Sequence, residues 1–150
     1  MLNIPFLTGK IKLDIGNKRE FSRGEIIKGK VYLTLKKNVK ARGVKVRLIA
    51  EREERKMERD RVETYWKEFY RQEVELDEEK EYQKGDYEYE FEIKIPKNIP
   101  PTVKPPAFSL SLSGMLNLLG TPRPIRWKIA AVLDIPLGFD ISDKKDIVIV

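Results

Sequence analysis

The sequence predicts an all-β fold, an antiparallel sandwich, on three observations. From Asp86 to Ile95 apolar and charged residues alternate strictly, with Tyr87, Tyr89, Phe91, Ile93 and Ile95 on one phase and Glu88, Glu90, Glu92 and Lys94 on the other. That is the period-two pattern of a half-buried strand. Similar alternation recurs along the chain at strand length, separated by turn-forming residues. Seven of the nine prolines fall between Pro96 and Pro124, so the ladder stops there and that block cannot be central sheet.

In order, Gly9 to Ile15 reads as a strand with Ile11, Leu13 and Ile15 inward, followed by the turn chemistry of Gly16-Asn17. Ile27 to Leu35 points Val31, Leu33 and Leu35 inward, and Asn38 marks the next turn. Val44 to Ala50 alternates again on Val44, Val46 and Leu48. Between Glu51 and Arg61 every residue except Met57 is charged and no apolar helical stripe exists, so a long charged hairpin extending beyond the sheet fits the flanking strands better than a helix. Trp66, Tyr70, Val74 and Leu76 form an intermittent inward phase, consistent with an edge strand, and Asp77 to Lys84 reads as a polar connection. After the proline block, Ile125, Trp127, Ile129, Ala131, Leu133 and Ile135 alternate inward, and Asp146 to Val150 closes the chain as a short apolar strand.

Two segments are candidate contact sites. The charged hairpin carries Arg52, Arg55, Lys56, Arg59 and Arg61, which read either as a solvated projection or as a partner-contacting loop. Phe108 to Leu119 is uncharged and carries Leu112, Met115, Leu116, Leu118 and Leu119. It is either ordinary buried sheet or an exposed loop touching a membrane, a partner or a second copy of the chain. Self-association is expected through that segment or through an open sheet edge.

Composition works by exclusion. At 150 residues the chain is expected to form one domain, 1–150, burying roughly 70% of its unfolded surface without a staple. Cysteine and histidine are both absent, which removes thiolate and imidazole catalysis and the usual zinc and iron-sulfur ligation. No enzyme activity, cofactor or metal is expected. Asp134, Asp140, Asp143 and Asp146 lack calcium-loop spacing and are read as turn and capping residues. No signal peptide or bilayer-spanning run is read, so a soluble cytoplasmic protein is expected. The Lys, Arg and Glu bias, with 36% charged residues, is thermophile-like.

The net charge of +6 is unevenly spread. Residues 1–50 hold 13 basic and 3 acidic side chains, 51–95 hold 10 and 17, and 96–150 hold 7 and 4. Lys10, Lys12, Lys28, Lys30, Lys45 and Arg47 all fall on outward phases. They offer either a basic face for an anionic partner or cross-strand pairs with the acidic Glu88 to Glu92 strand, each worth about 0.2–1 kcal/mol. The compensating acidic excess argues against nucleic acid.

Several segments in this order resemble the arrestin amino-terminal domain and the arrestin-like sporulation-control proteins of prokaryotes. Gly9-Lys10-Ile11 is similar to the first strand, Gly16 to Phe21 to the turn after it, and Gly24 to Val31 to the start of the next strand. Tyr89 to Ile93 followed by Pro96-Lys97-Asn98-Ile99-Pro100-Pro101 resembles the family's aromatic strand and proline signature. Leu133 to Ile135 and Asp146 to Val150 match the last strands. The resemblance implies an immunoglobulin-like, arrestin-like sandwich acting as a non-catalytic scaffold or adaptor that binds other proteins. The alternative is a basic-surface binder of nucleic acid or of anionic membrane lipid. By position, Glu51 to Thr64 corresponds to the loop with which arrestins probe receptors. The adjacent phosphate-sensing lysines of arrestins have no counterpart in Met1 to Thr8.

Overall fold

The computed structural model describes residues 8–105 and 123–150. The Phe108 to Leu119 segment, with Leu112, Met115, Leu116, Leu118 and Leu119, lies outside them. The described chain forms ten strands: β1 (Gly9–Asp14), β2 (Glu20–Phe21), β3 (Ile26–Leu35), β4 (Val39–Ala41), β5 (Gly43–Glu58), β6 (Arg61–Asp77), β7 (Lys80–Tyr82), β8 (Gly85–Lys94), β9 (Ile125–Asp134) and β10 (Ile141–Ile149). One sheet has the order β1-β3-β8 and the other β2-β10-β9-β5-β6, with β4 and β7 forming a separate pair. All pairings are antiparallel except β2 with β10.

The two sheets share one core. Leu13, Ile27, Val31 and Ile93 come from the smaller sheet and Val46, Leu48, Ile129, Leu133 and Ile149 from the larger, all essentially without solvent contact. The alternation of β1, β3, β8 and β9 produces this, because each inward phase read from the sequence is the buried phase. Tyr87 and Tyr89 are only partly buried but pack against that cluster.

Besides the short strands β2 and β4, which the sequence reading does not place, the structure departs from it at three points. The Asp77 to Lys84 connection contains β7, whose Tyr82 is fully buried and donates its hydroxyl to the Glu78 carbonyl at 2.7 Å. A three-residue strand is too short for periodicity to reveal. The last strand starts at Ile141, not Asp146, because Asp143 and Lys145 stand on the same phase as Ile141, Ile147 and Ile149 and interrupt the apolar alternation. Trp66 does not share the inward face of Tyr70, for a reason given below.

Part of the basic excess of the first third is answered within the molecule. Lys28 reaches Glu92 at 3.6 Å and Lys30 reaches Glu88 at 3.3 Å across β3 and β8. On the larger sheet, Lys45 sits 3.1 Å from Asp134 and 3.7 Å from Glu73, and Arg47 donates to Glu73 at 2.7 Å. Asp140 and Asp143 do cap: they accept hydrogen bonds from the Ile135 and Leu13 amides, both at 2.8 Å. No helix among the described residues is long and apolar enough to cross a membrane.

Candidate partner-binding hairpin

The β5–β6 hairpin begins inside the sheet and ends outside it. On one side β5 pairs with β9 from Gly43 opposite Asp134 to Arg52 opposite Ile125, and the Glu53 amide donates to the Pro124 carbonyl at 2.9 Å. Beyond that point, among the described residues, β6 is the only strand paired with β5, with pairs continuing to Glu58 opposite Arg61. The turn is closed by Arg59 and Asp60, and Arg59 adopts φ 54°, a conformation costly for a side-chain-bearing residue.

A register shift decides which side chains share a face. Ala50 pairs with Tyr70 but Glu51 pairs with Glu68, so Phe69 is the extra residue of a bulge. Below the bulge Tyr70 lies on the core side, its ring 5.5 Å from that of Trp127. Above it Trp66 lies on the outer side beneath the Arg126 guanidinium, 4.1 Å away. The expectation that Trp66 and Tyr70 share one inward phase is therefore corrected, and the bulge is the cause.

Each cation singled out from the sequence has a definite place. Arg52 lies 4.6 Å over the Phe69 ring. Arg55 stands opposite Thr64, Lys56 opposite Glu63 and Arg61 opposite Glu58, while Arg59 is at the tip. They do not converge on one point; they line a ribbon. Between them are apolar side chains that the charge pattern hid: Met57, 78% exposed and opposite Val62, with Tyr65 and Phe69 also exposed. Aromatic residues following a charged run were the available signal.

The base of the ribbon is tied down by ion pairs. Glu51 accepts from Arg126 at 3.0 Å and lies 3.2 Å from Lys128, and Glu54 pairs with Arg123. Burial pushes the Glu51 carboxyl up, but the hydrogen bonds from Arg126 and Lys128 outweigh it and hold the group below its ordinary value, ionised at neutral pH. Glu73 behaves likewise, its burial outweighed by Arg47 and Lys45. Among the described residues no group of three or more acidic side chains is placed to hold a metal ion.

The family model for the arrestin (or S-antigen) N-terminal domain matches residues 9–150. The chain belongs to that family. Among solved structures, Spo0M, the sporulation control protein from Bacillus subtilis, is similar with a TM-score of 0.64 at 17% identity. The match covers 95% of this chain and 49% of that one, so the chain spans about half the length of that structure. At this identity the likeness speaks for the fold. A search of the curated proteins finds no match. Arrestin-family domains are generally protein-interaction modules on a fold that is generally non-catalytic.

Proposed function

We propose that this chain is a non-catalytic scaffold or adaptor domain that docks other proteins, with the β5–β6 ribbon as its contact element. The observation that carries the reading is that the ribbon outruns its sheet. A two-stranded ribbon gains little stability of its own, so its length is not explained by the core. It also carries the residue types that dominate protein interfaces, namely arginine, aromatic residues and methionine, at exposed positions.

The charge distribution favours protein over nucleic acid. Lys28, Lys30, Lys45 and Arg47 already face carboxylates of the same molecule, so these four do not offer an unbalanced strip to a phosphate backbone. The shared core supports treating 1–150 as one sandwich domain. A cytoplasmic location belongs to the same proposal. So does self-association by strand addition, supported by β6 and β8 each ending a sheet among the described residues.

The test is a trimmed hairpin. Joining Glu53 to Trp66 through Asn-Gly keeps a paired position closed by two residues, as Glu58 and Arg61 are now. The trimmed chain should melt close to the wild type yet lose the proteins that the wild type captures from its source cell. Identical captured sets would sink the role of the ribbon.

A further inference from the structure

At the opposite end of the larger sheet from the ribbon, the loop between β9 and β10 exposes two large apolar side chains. Leu137 is 107% exposed and Phe139 59%. The loop is firmly seated, because Ile135 and Ile141 at its feet are buried and the Ile135 amide is held by the Asp140 carboxylate. Leu137 has φ 56°, a left-handed conformation that glycine adopts without strain, and glycine is the very next residue. The free domain therefore gains neither packing nor backbone comfort from a leucine at this position. Its use lies in something outside the domain.

Cations from three different elements surround the base of the loop. Lys10 of β1 and Lys36, just after β3, line the groove beside Asp140 and Ser142. Arg42, whose amide donates to the Asp134 carbonyl at 2.7 Å, keeps its side chain 58% exposed. Asp140 accepts from the Ile135 amide, and Asp134 lies 3.7 Å from Arg42 and 3.1 Å from Lys45.

We propose that Pro136 to Phe139 is a wedge that docks the domain on anionic lipid bilayers, with Leu137 and Phe139 entering the headgroup–acyl boundary and the surrounding cations at headgroup level. A convex tip of two apolar side chains falls far short of the roughly 1,200 Å² that a stable protein interface buries, whereas a bilayer needs only insertion. The geometry also fits the interaction role. The loop follows Asp134 and the ribbon rises beyond Arg52, at the two ends of the β5–β9 pairing, so a docked domain holds its ribbon away from the membrane.

The test is flotation of the full chain with phosphatidylcholine vesicles, with and without one-third phosphatidylserine. Wild type should float with the anionic vesicles and less as salt rises. Leu137→Gly combined with Phe139→Ser should lower the partition coefficient about tenfold or more. Leu137→Gly alone should melt at or above the wild-type temperature, because the backbone strain is relieved. The hairpin-trimmed chain should float like the wild type, which separates this proposal from the ribbon's role. Failure of the wild type to float at low salt would overturn the wedge in favour of a protein pocket. Equal flotation of the double variant would also overturn it, and a lowered melting temperature for Leu137→Gly would make Leu137 a structural residue.

Discussion

Trp127→Ala is expected to lower the stability of the domain by about 3–5 kcal/mol, the range for truncating a fully buried aromatic side chain. The size follows from three losses at one position. Trp127 is paired on both sides, opposite Ala50 of β5 and Ile147 of β10, so the void opens in the middle of the larger sheet. Its ring neighbours that of Tyr70, which would lose its aromatic partner. Its indole Nε1 donates to the Pro100 carbonyl at 3.1 Å, tying the proline segment to the sheet, and alanine leaves that acceptor unpaired. For a chain of this size the loss corresponds to a melting temperature lower by roughly 6–20 °C. Urea denaturation followed by circular dichroism measures it, and a cost below about 1 kcal/mol would mean that the core is not arranged as described.

Gly29→Ala is also expected to destabilise the domain, although it adds a single methyl group to a strand. Gly29 lies in β3 opposite Phe91, and a Cβ there would stand 2.5 Å from the Asp14 carbonyl oxygen and 2.8 Å from the Phe91 ring. The ring can turn aside; the carbonyl cannot, because Asp14 is fixed by the pairing of β1 with β3. A cost of about 1–3 kcal/mol is expected from overpacking. Shrinking the ring partner as well, in Gly29→Ala with Phe91→Leu, should not restore stability, since the backbone oxygen remains. Full recovery in the double variant would show that the ring alone sets the constraint.

What could be read without coordinates follows from where periodicity applies. In β1, β3 and β8 one face is core and the other is more exposed, and the alternation of Leu13, Val31 and Ile93 with polar or charged neighbours fixes both strand and facing, whereas in β9 the phase of Trp127, Ile129 and Leu133 is buried but Ala130 and Val132 on the other face are covered as well. The hairpin was legible for the complementary reason: eleven residues with ten charges cannot be buried, and the strands on either side dictate how they connect. The facing of Trp66 was not legible, because a bulge at Phe69 reverses the phase and no glycine or proline marks it. Nor was β7 legible, where Tyr82 is buried by the β4 pairing and not by any pattern of its own. The exposure of Leu137 and Phe139 was hidden too, since apolar residues between two strands look like core until the loop is placed.

The candidate site divides along the same line. The cations of the ribbon were visible as a charge run, whereas the apolar residues interleaved with them became a surface only once Met57 was seen opposite Val62 and Arg52 over Phe69. The physical point is that a ribbon mixes its two strands, so residues distant in sequence form one face. A charge count along the chain cannot report that.

The most direct test of the central claim is photo-crosslinking in the source cell, with a light-activated residue placed at Met57 on the ribbon tip or at Glu90 on the outer face of β8. Protein adducts of discrete size are expected from Met57 and little or nothing from Glu90. Adducts from Glu90 alone, or the same set from both positions, would contradict the claim.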